Sequence, residues 1–347
     1  MDSQQGEQYL VRCVGLATSL TLLCLMIIAG NCLLILYDNT SRAPLQKAVA
    51  LVATPRPANL EEAVWQAPDS TQIPLSAEGD LIRYGKELIA HTSKYLGPRG
   101  KVARISNGMN CQNCHLRAGA KPFGNNYAAV VSMYPRFRAR SGSIETIEKR
   151  INDCIERSLN GEALAENSLE MRAIIAWFQW LGKDVPKGVA PKGSGIVMLP
   201  LLPRAADPLK GKIIYAKHCE LCHGAGGLGY KHPDSVEWKY PPLAGDQSYN
   251  TGAGLLRLSR FAGYVKTNMP YGTTWEDPVL TDEEAWDVAA YINSLKRPAK
   301  RFKEDWPDIT AKPFDHPFGP YADSFPEAQH KYGPFDAIRR SSSTARR

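Results

Sequence analysis

The chain has 347 residues, 44% of them hydrophobic and 22% charged, and a formal net charge of +7. A chain of this length buries real cores without disulfide staples and predicts two domains, which excludes a disulfide-held miniprotein and a disordered polypeptide. The basic residues are dispersed and no nucleic-acid motif accompanies them, so nucleic acid is excluded as a partner and affinity for small anions or an acidic partner remains.

Residues 1–12 form a short tail. Positions 13–37 carry no charged side chain over 25 residues, enough for a helix to span a hydrocarbon core of about 30 Å. The stretch is longer than the apolar core of a cleaved signal, and Gly30-Asn31-Cys32-Leu33 offers no small-x-small cleavage site. It reads as an uncleaved transmembrane anchor. Residues 38–76, rich in Pro and Ala, read as a tether from the membrane.

Two modules of one plan follow, at 77–186 and 207–298, with a Gly- and Pro-rich linker at 187–206. Each opens with a helical stretch containing Gly and Tyr, Gly79 to Gly85 in the first and Lys210 to Tyr215 in the second. Each closes with an amphipathic helix. Its apolar positions are Leu169, Ala173, Trp177, Trp180 and Leu181 in the first, and Ala285, Val288, Ala289, Ile292 and Leu295 in the second. A capping box from Thr281 to Glu284 marks the start of the second closing helix. Residues 299–347 lack periodicity but are aromatic, and they predict an extended strap over the modules that ends in a disordered Ser- and Arg-rich stretch, 339–347.

The eight cysteines sort by position. Cys13, Cys24 and Cys32 lie in the apolar span and read as ordinary apolar residues. Four make Cys111-Gln112-Asn113-Cys114-His115 and Cys219-Glu220-Leu221-Cys222-His223. Two cysteines three apart sit about one helical turn apart and can add to the two vinyl groups of one haem, while the adjacent histidine reaches the iron. A zinc ribbon would need further Cys/His pairs, and the sequence has none. The expectation is therefore a mainly α chain of two tandem cytochrome c-like helical domains with two covalently bound haem c groups. Such attachment is completed outside the cytoplasm, which places the modules on the periplasmic side of the cytoplasmic membrane.

Each iron takes a second axial ligand that tunes its potential. In the second module the candidate is Met269, 46 residues after His223 in Asn268-Met269-Pro270. Lys266 and His232 are its rivals. The first module has no Met-Pro, but Cys154 stands 39 residues after His115. The run Ser143 to Ile155 reads as one helix whose inward positions are Ile144, Ile147, Ile151, Cys154 and Ile155. The absent methionine, the inward position and the extracytoplasmic location favour Cys154 as a thiolate ligand over a buried inert thiol. Around it stand Arg136, Arg138, Arg140, Lys149, Arg150 and Arg157. Arginine forks suit oxyanions, and Arg138, Arg140 and Arg150, with Ser158 one turn after Cys154, are candidates to hold an anionic substrate.

The segment from Cys111 to Gly124, the runs Tyr134 to Gly142 and Arg150 to Ser158, the loop Asn268-Met269-Pro270 and the tail Asp315 to Tyr321 together resemble the dihaem thiosulfate dehydrogenases. The resemblance implies oxidation of two thiosulfates to tetrathionate at a His115/Cys154-ligated haem, with Cys154 catalytic. It implies electron passage to a His223/Met269-ligated haem and on to an electron-accepting cytochrome or membrane redox protein. Three other readings stay open at this level: tetrathionate reduction, a sulfur-oxidation cytochrome acting on a carrier protein, and a plain membrane-anchored electron carrier. Where some members carry lysine before the methionine, this chain has Asn268.

Overall fold

The computed structural model describes residues 63–233 and 235–344, together with Met26. No helix among the described residues is long and apolar enough to cross a membrane. The expected span at 13–37 lies, apart from Met26, outside them.

Among residues 63–344, the helices of six residues or more are α1 (Ala77–Ala90), α2 (Ile147–Arg157), α3 (Leu169–Leu181), α4 (Pro208–His218), α5 (Leu258–Asn268), α6 (Asp282–Ser294), α7 (Glu327–Tyr332) and α8 (Asp336–Thr344). Two short antiparallel pairs accompany them, β1 (Arg136–Arg138) with β2 (Ser143–Glu145) and β3 (Tyr230–Lys231) with β4 (Trp238–Tyr240). Local chemistry sets the helix starts. Ser76, Thr146, Ser168 and Asp207 each accept a first-turn N–H, and Thr281 and Glu284 close the expected capping box.

The two halves repeat one packing device. Helix α1 lies on α3 and α4 lies on α6, and both crossings are close because a glycine faces the partner's backbone. A Cβ on Gly85 would stand 1.9 Å from the Ala173 carbonyl oxygen, and one on Gly211 would stand 1.9 Å from that of Asp287. The buried indole of each closing helix then ties down a loop: Trp177 Nε1–H donates to the Ala118 carbonyl at 2.8 Å and Trp286 Nε1–H to the Pro200 carbonyl at 3.1 Å. One core gathers around Leu88, Ile89, Met171, Trp177 and Leu181, and another around Tyr215, Leu258, Phe261, Trp286 and Ile292. Burying each such side chain contributes about 1.5–3 kcal/mol.

Three segments differ from the sequence reading. Ser143 to Ile155 is not one helix. Thr146 caps the helix at Ile147, while Ser143–Glu145 pair with β1 in the register Arg136↔Glu145, Phe137↔Ile144, Arg138↔Ser143. Ile144 therefore faces solvent at 71% exposure rather than the core. The segment 187–206 is irregular but packed, since the Gly193 and Gly195 carbonyls accept from Phe123 N and Asn125 N and Leu202 joins the second core. The C-terminal stretch from Arg339 to Thr344 is helical. Phe335 and Ile338 anchor it by entering the second core, with Phe335 5.8 Å from the Trp286 ring.

The halves are also bonded directly. Asn250 donates its backbone N–H to the Arg157 carbonyl at 3.0 Å and its side-chain amide to the Glu156 carbonyl at 2.8 Å. Asn107 donates to the Ser248 carbonyl at 2.9 Å, and Tyr264 to that of Asn113 at 3.2 Å. The Asn250 bonds hold the C-terminal end of α2 against the loop that leads into α5, and the other two tie the segment around the first Cys-x-x-Cys-His string to that loop and to α5.

Candidate active site

The first Cys-x-x-Cys-His sequence is held as a tight turn. Asn113 accepts from the Asn110 N–H at 2.7 Å, Thr92 accepts from the Cys111 N–H at 3.0 Å, and Gln112 donates to the Ala90 carbonyl at 2.7 Å. The chain then doubles back through Arg117, Ala118, Phe123 and Asn125, all at positive φ, a conformation that non-glycine residues adopt only where the surroundings enforce it. The reversal brings the Asn125 carbonyl to 2.5 Å from His115 Nδ1. A carbonyl can only accept, so Nδ1 carries the proton and Nε2 keeps its lone pair for a metal. His223 is held the same way, its Nδ1 2.9 Å from the Pro241 carbonyl.

Helix α2 presents Cys154 to His115. The thiol is half-buried, with the Arg150 guanidinium Nη1 3.1 Å from its sulfur one helical turn earlier. Burial by itself pushes the thiol up, but the opposing effects, the Arg150 charge first among them, outweigh it and bring it down to about 6. Arg150 is in turn held more firmly protonated, chiefly by the Cys154 thiolate.

His115 and Cys154 share a cavity of about 260 Å³ whose walls carry Arg138, Arg140, Arg150, Arg157, Arg257 and Arg260 against two carboxylates, Glu145 and Asp153. Ser158, the C-cap of α2, also lines it. Arg157 is bound through both terminal nitrogens to Asp305, at 2.7 and 2.8 Å, and Arg257 pairs with Asp315 at 2.7 Å. Among the described residues the Arg140 guanidinium has only a 3.4 Å bond to the Gly252 carbonyl and the face of Trp306, 5.6 Å away. Burial, then repulsion from Arg157, pushes its guanidinium down to about 10. Arg138 stands 3.9 Å from Glu145. The cavity is thus a cationic pocket with unneutralised charge beside a nucleophilic sulfur.

Cys219, Cys222, His223 and Met269 line a second cavity of about 400 Å³, walled mainly by aromatic and aliphatic side chains. Cys114, Tyr249 and Leu255 line both cavities. Of the rivals to Met269, His232 lines this cavity too, whereas Lys266 is tied to Asp282 at 2.8 Å. Asn268 donates to the Phe123 and Tyr264 carbonyls, both at 3.1 Å. The donor sets suit haem c: paired cysteines for the thioether links, an Nε2 freed on each histidine, and a sulfur from Cys154 or Met269 on the wall of the same cavity.

The structure brings Arg138, Arg140, Arg150, Cys154 and Ser158 to one cavity, and leaves Arg136 exposed on the hairpin. Lys149 points to Asp153 at 2.7 Å. The sequence reading did not select Arg257, Arg260, Asp305 or Asp315 for this site. The first two lie about a hundred residues beyond Cys154, and no spacing rule connects them to it.

Comparison with known proteins gives a consistent picture. The family model for the SoxA/TsdA cytochrome c domain matches residues 101–186, and that for cytochrome c oxidase, cbb3-type, subunit III matches residues 206–292. The chain is 40% identical over 244 residues to a thiosulfate dehydrogenase of Psychrobacter arcticus, covering 70% of this chain and 71% of that protein. It is 38% identical over 239 residues to that of Allochromatium vinosum, covering 67% and 83%. Among solved structures, the thiosulfate dehydrogenase (TsdBA) of Marichromatium purpuratum in its as-isolated form matches with a TM-score of 0.63 and 33% identity. That match covers 69% of this chain, which spans about half of that longer one, 51%.

Proposed function

The chain belongs to the thiosulfate dehydrogenase family, and from that premise we propose that it joins two thiosulfate ions into tetrathionate at Cys154, releasing two electrons. It is a thiosulfate-oxidising cytochrome with covalently bound haem c. In the proposed arrangement two such groups are present. Cys111, Cys114, His115 and Cys154 would hold one, and Cys219, Cys222, His223 and Met269 would hold the other. When bound, they supply two one-electron acceptors, matching the two electrons released.

The protein's own residues do the rest. Arg140 and Arg150 hold the sulfonate of the first thiosulfate and point its outer sulfur at Cys154 Sγ. A bond forms between the two sulfurs as two electrons leave, which makes a cysteine S-thiosulfonate. The outer sulfur of a second thiosulfate then attacks that outer sulfur. Tetrathionate departs and Cys154 leaves as the thiolate that Arg150 stabilises. Ser158 donates a hydrogen bond to the bound anion. Leu221 and Tyr271, 91% and 95% exposed, offer an apolar landing beside the second cavity for an electron-accepting cytochrome or membrane redox protein. The 25 uncharged residues at 13–37 support anchoring on the periplasmic side of the cytoplasmic membrane. Run backwards, the same steps reduce tetrathionate.

The observation that carries this reading is the 3.1 Å approach of Arg150 to the Cys154 sulfur inside a cavity lined by arginines. An electron carrier without a substrate has no use for such a pocket. The test is anaerobic titration of the purified holoprotein with thiosulfate. Reduction of both haems with one tetrathionate formed per two electrons supports the reading, and spectra indifferent to thiosulfate refute it.

A further inference from the structure

The arginines around the cavity fall into two groups. Arg140, Arg150 and Arg157 lie with Cys154 and Asp153, and the charges that bear on Arg140 are Arg157, Asp305, Arg150 and Asp153. Arg260 instead feels Arg257, Asp315 and Arg138, and burial together with these two cations destabilises its charge. The second group is assembled from both halves of the chain: Arg138 from β1, Arg257 at the N-cap of α5 and Arg260 in the first turn of α5.

The composition of that second group is costly unless an anion joins it. Two arginines stand at the positive end of a helix macrodipole, where cations are disfavoured. Asp315 answers only part of this charge. Its carboxylate takes the Arg257 guanidinium, the Ser259 N–H at 3.1 Å and the Ser259 hydroxyl at 2.5 Å. The Arg260 guanidinium makes no hydrogen bond or ion pair among the described residues, yet it is half-buried and lines the cavity. Arg138 has only the 3.9 Å approach to Glu145.

We propose that Arg260 and Arg138 form a distal sulfonate subsite, which holds the second thiosulfate before attack and the far end of tetrathionate afterwards. This rests on the thiosulfate reading above. Tetrathionate carries a sulfonate at each end of a disulfane, so a site that makes it needs two anion pockets flanking the reacting sulfurs. The proximal pocket lies at Cys154, and the distal one is supplied by the second half of the chain. Replacing a guanidinium fork there removes a charge-assisted contact to one sulfonate only.

The test uses the oxidised holoprotein. In Arg260→Gln the dissociation constant for tetrathionate, measured by calorimetry, rises roughly 10- to 100-fold. During turnover with thiosulfate, mass spectrometry of the Cys154 peptide shows the S-thiosulfonate accumulating, because its resolution by a second thiosulfate is slowed. Arg260→Lys restores most of the tetrathionate affinity, and Arg138→Gln behaves like Arg260→Gln, which keeps the test decisive if either variant folds poorly. Wild-type tetrathionate affinity in a well-folded Arg260→Gln, or slowed turnover with no adduct, overturns the subsite. If the wild-type protein neither reduces its haems with thiosulfate nor binds tetrathionate, the thiosulfate reading itself fails.

Discussion

The guanidinium of Arg157, at the end of α2, and the carboxylate of Asp305, in the C-terminal strap, meet through two parallel hydrogen bonds of 2.7 and 2.8 Å. The pair pins the strap to α2, and the backbone N–H of Trp306 also bonds the Arg140 carbonyl at 2.6 Å, so the strap braces two arginines that line the cationic cavity. Asp305 is 148 residues from Arg157, so the strap supports residues of the site rather than hanging as an appendage.

Asp305→Asn is therefore expected to destabilise the protein by about 1–3 kcal/mol, the range for breaking a partly buried charge-assisted pair. Asp153, 3.7 Å from Arg157 Nε, compensates in part. Thermal unfolding measures the loss, and limited proteolysis within 299–321 should quicken. An unchanged melting temperature and cleavage pattern would show the strap to be independent of this pair.

Replacing Cys154 with Gly removes the reacting sulfur and leaves the four attachment cysteines untouched. Turnover with thiosulfate should fall below detection while the haem content stays at that of the wild type. Full activity in the variant would remove Cys154 from the chemistry.

Arg150→Ala deletes the cation 3.1 Å from the sulfur. It should lower kcat/KM for thiosulfate by roughly 10²-fold or more, consistent with about 3 kcal/mol for a charge-assisted contact in a low-dielectric site. Arg150→Lys should recover only part of this, since a point charge replaces a fork. A kcat/KM within twofold of wild type would place Arg150 outside the site.

Close crossing at Gly85 leaves no room for a methyl group, the nearest atom being a backbone oxygen 1.9 Å from the built Cβ. Gly85→Ala should force α1 and α3 apart at a cost of about 1–3 kcal/mol, seen as a lower melting temperature. Gly188→Ala, where nothing lies within 4 Å of the built Cβ but φ is +79°, isolates backbone strain from crowding and should cost less.

His316, in the strap, lies 5.5 Å from the Trp306 ring with its Nδ1 3.1 Å from the Phe318 carbonyl. Burial, then the charge of Lys312, pushes its imidazole down to about 3, and Arg140 and Arg257 add to the effect. Its folded value lies below the unfolded value of about 6.5, so the unfolded chain binds the proton first. Its contribution is complete above pH about 6.5 and is lost as pH falls from there toward 3. Unfolding measured across that window should show the loss, and His316→Gln should flatten that part of the profile. An unaltered profile in His316→Gln would assign the acid sensitivity elsewhere.

Much of this protein is written along the chain. The two Cys-x-x-Cys-His strings, the capping box at Thr281, the inward phase of Cys154 on α2 and the Arg138, Arg140 and Arg150 cluster are local in sequence, because helix period and covalent spacing act over a few residues. Local pattern misled only where a neighbour intervened. Ile144 reads as the first turn of a helix until pairing with Phe137 turns it outward, and Arg339–Thr344 reads as a loose tail until Phe335 and Ile338 find Trp286. What tertiary structure alone decided is the charge of the pocket. Arg257 and Arg260 come from the second module and Asp305 and Asp315 from the strap. Which arginines are neutralised and which face the cavity bare depends on contacts across about 150 residues. Electrostatic energy follows distance in space, and distance along the chain does not encode it.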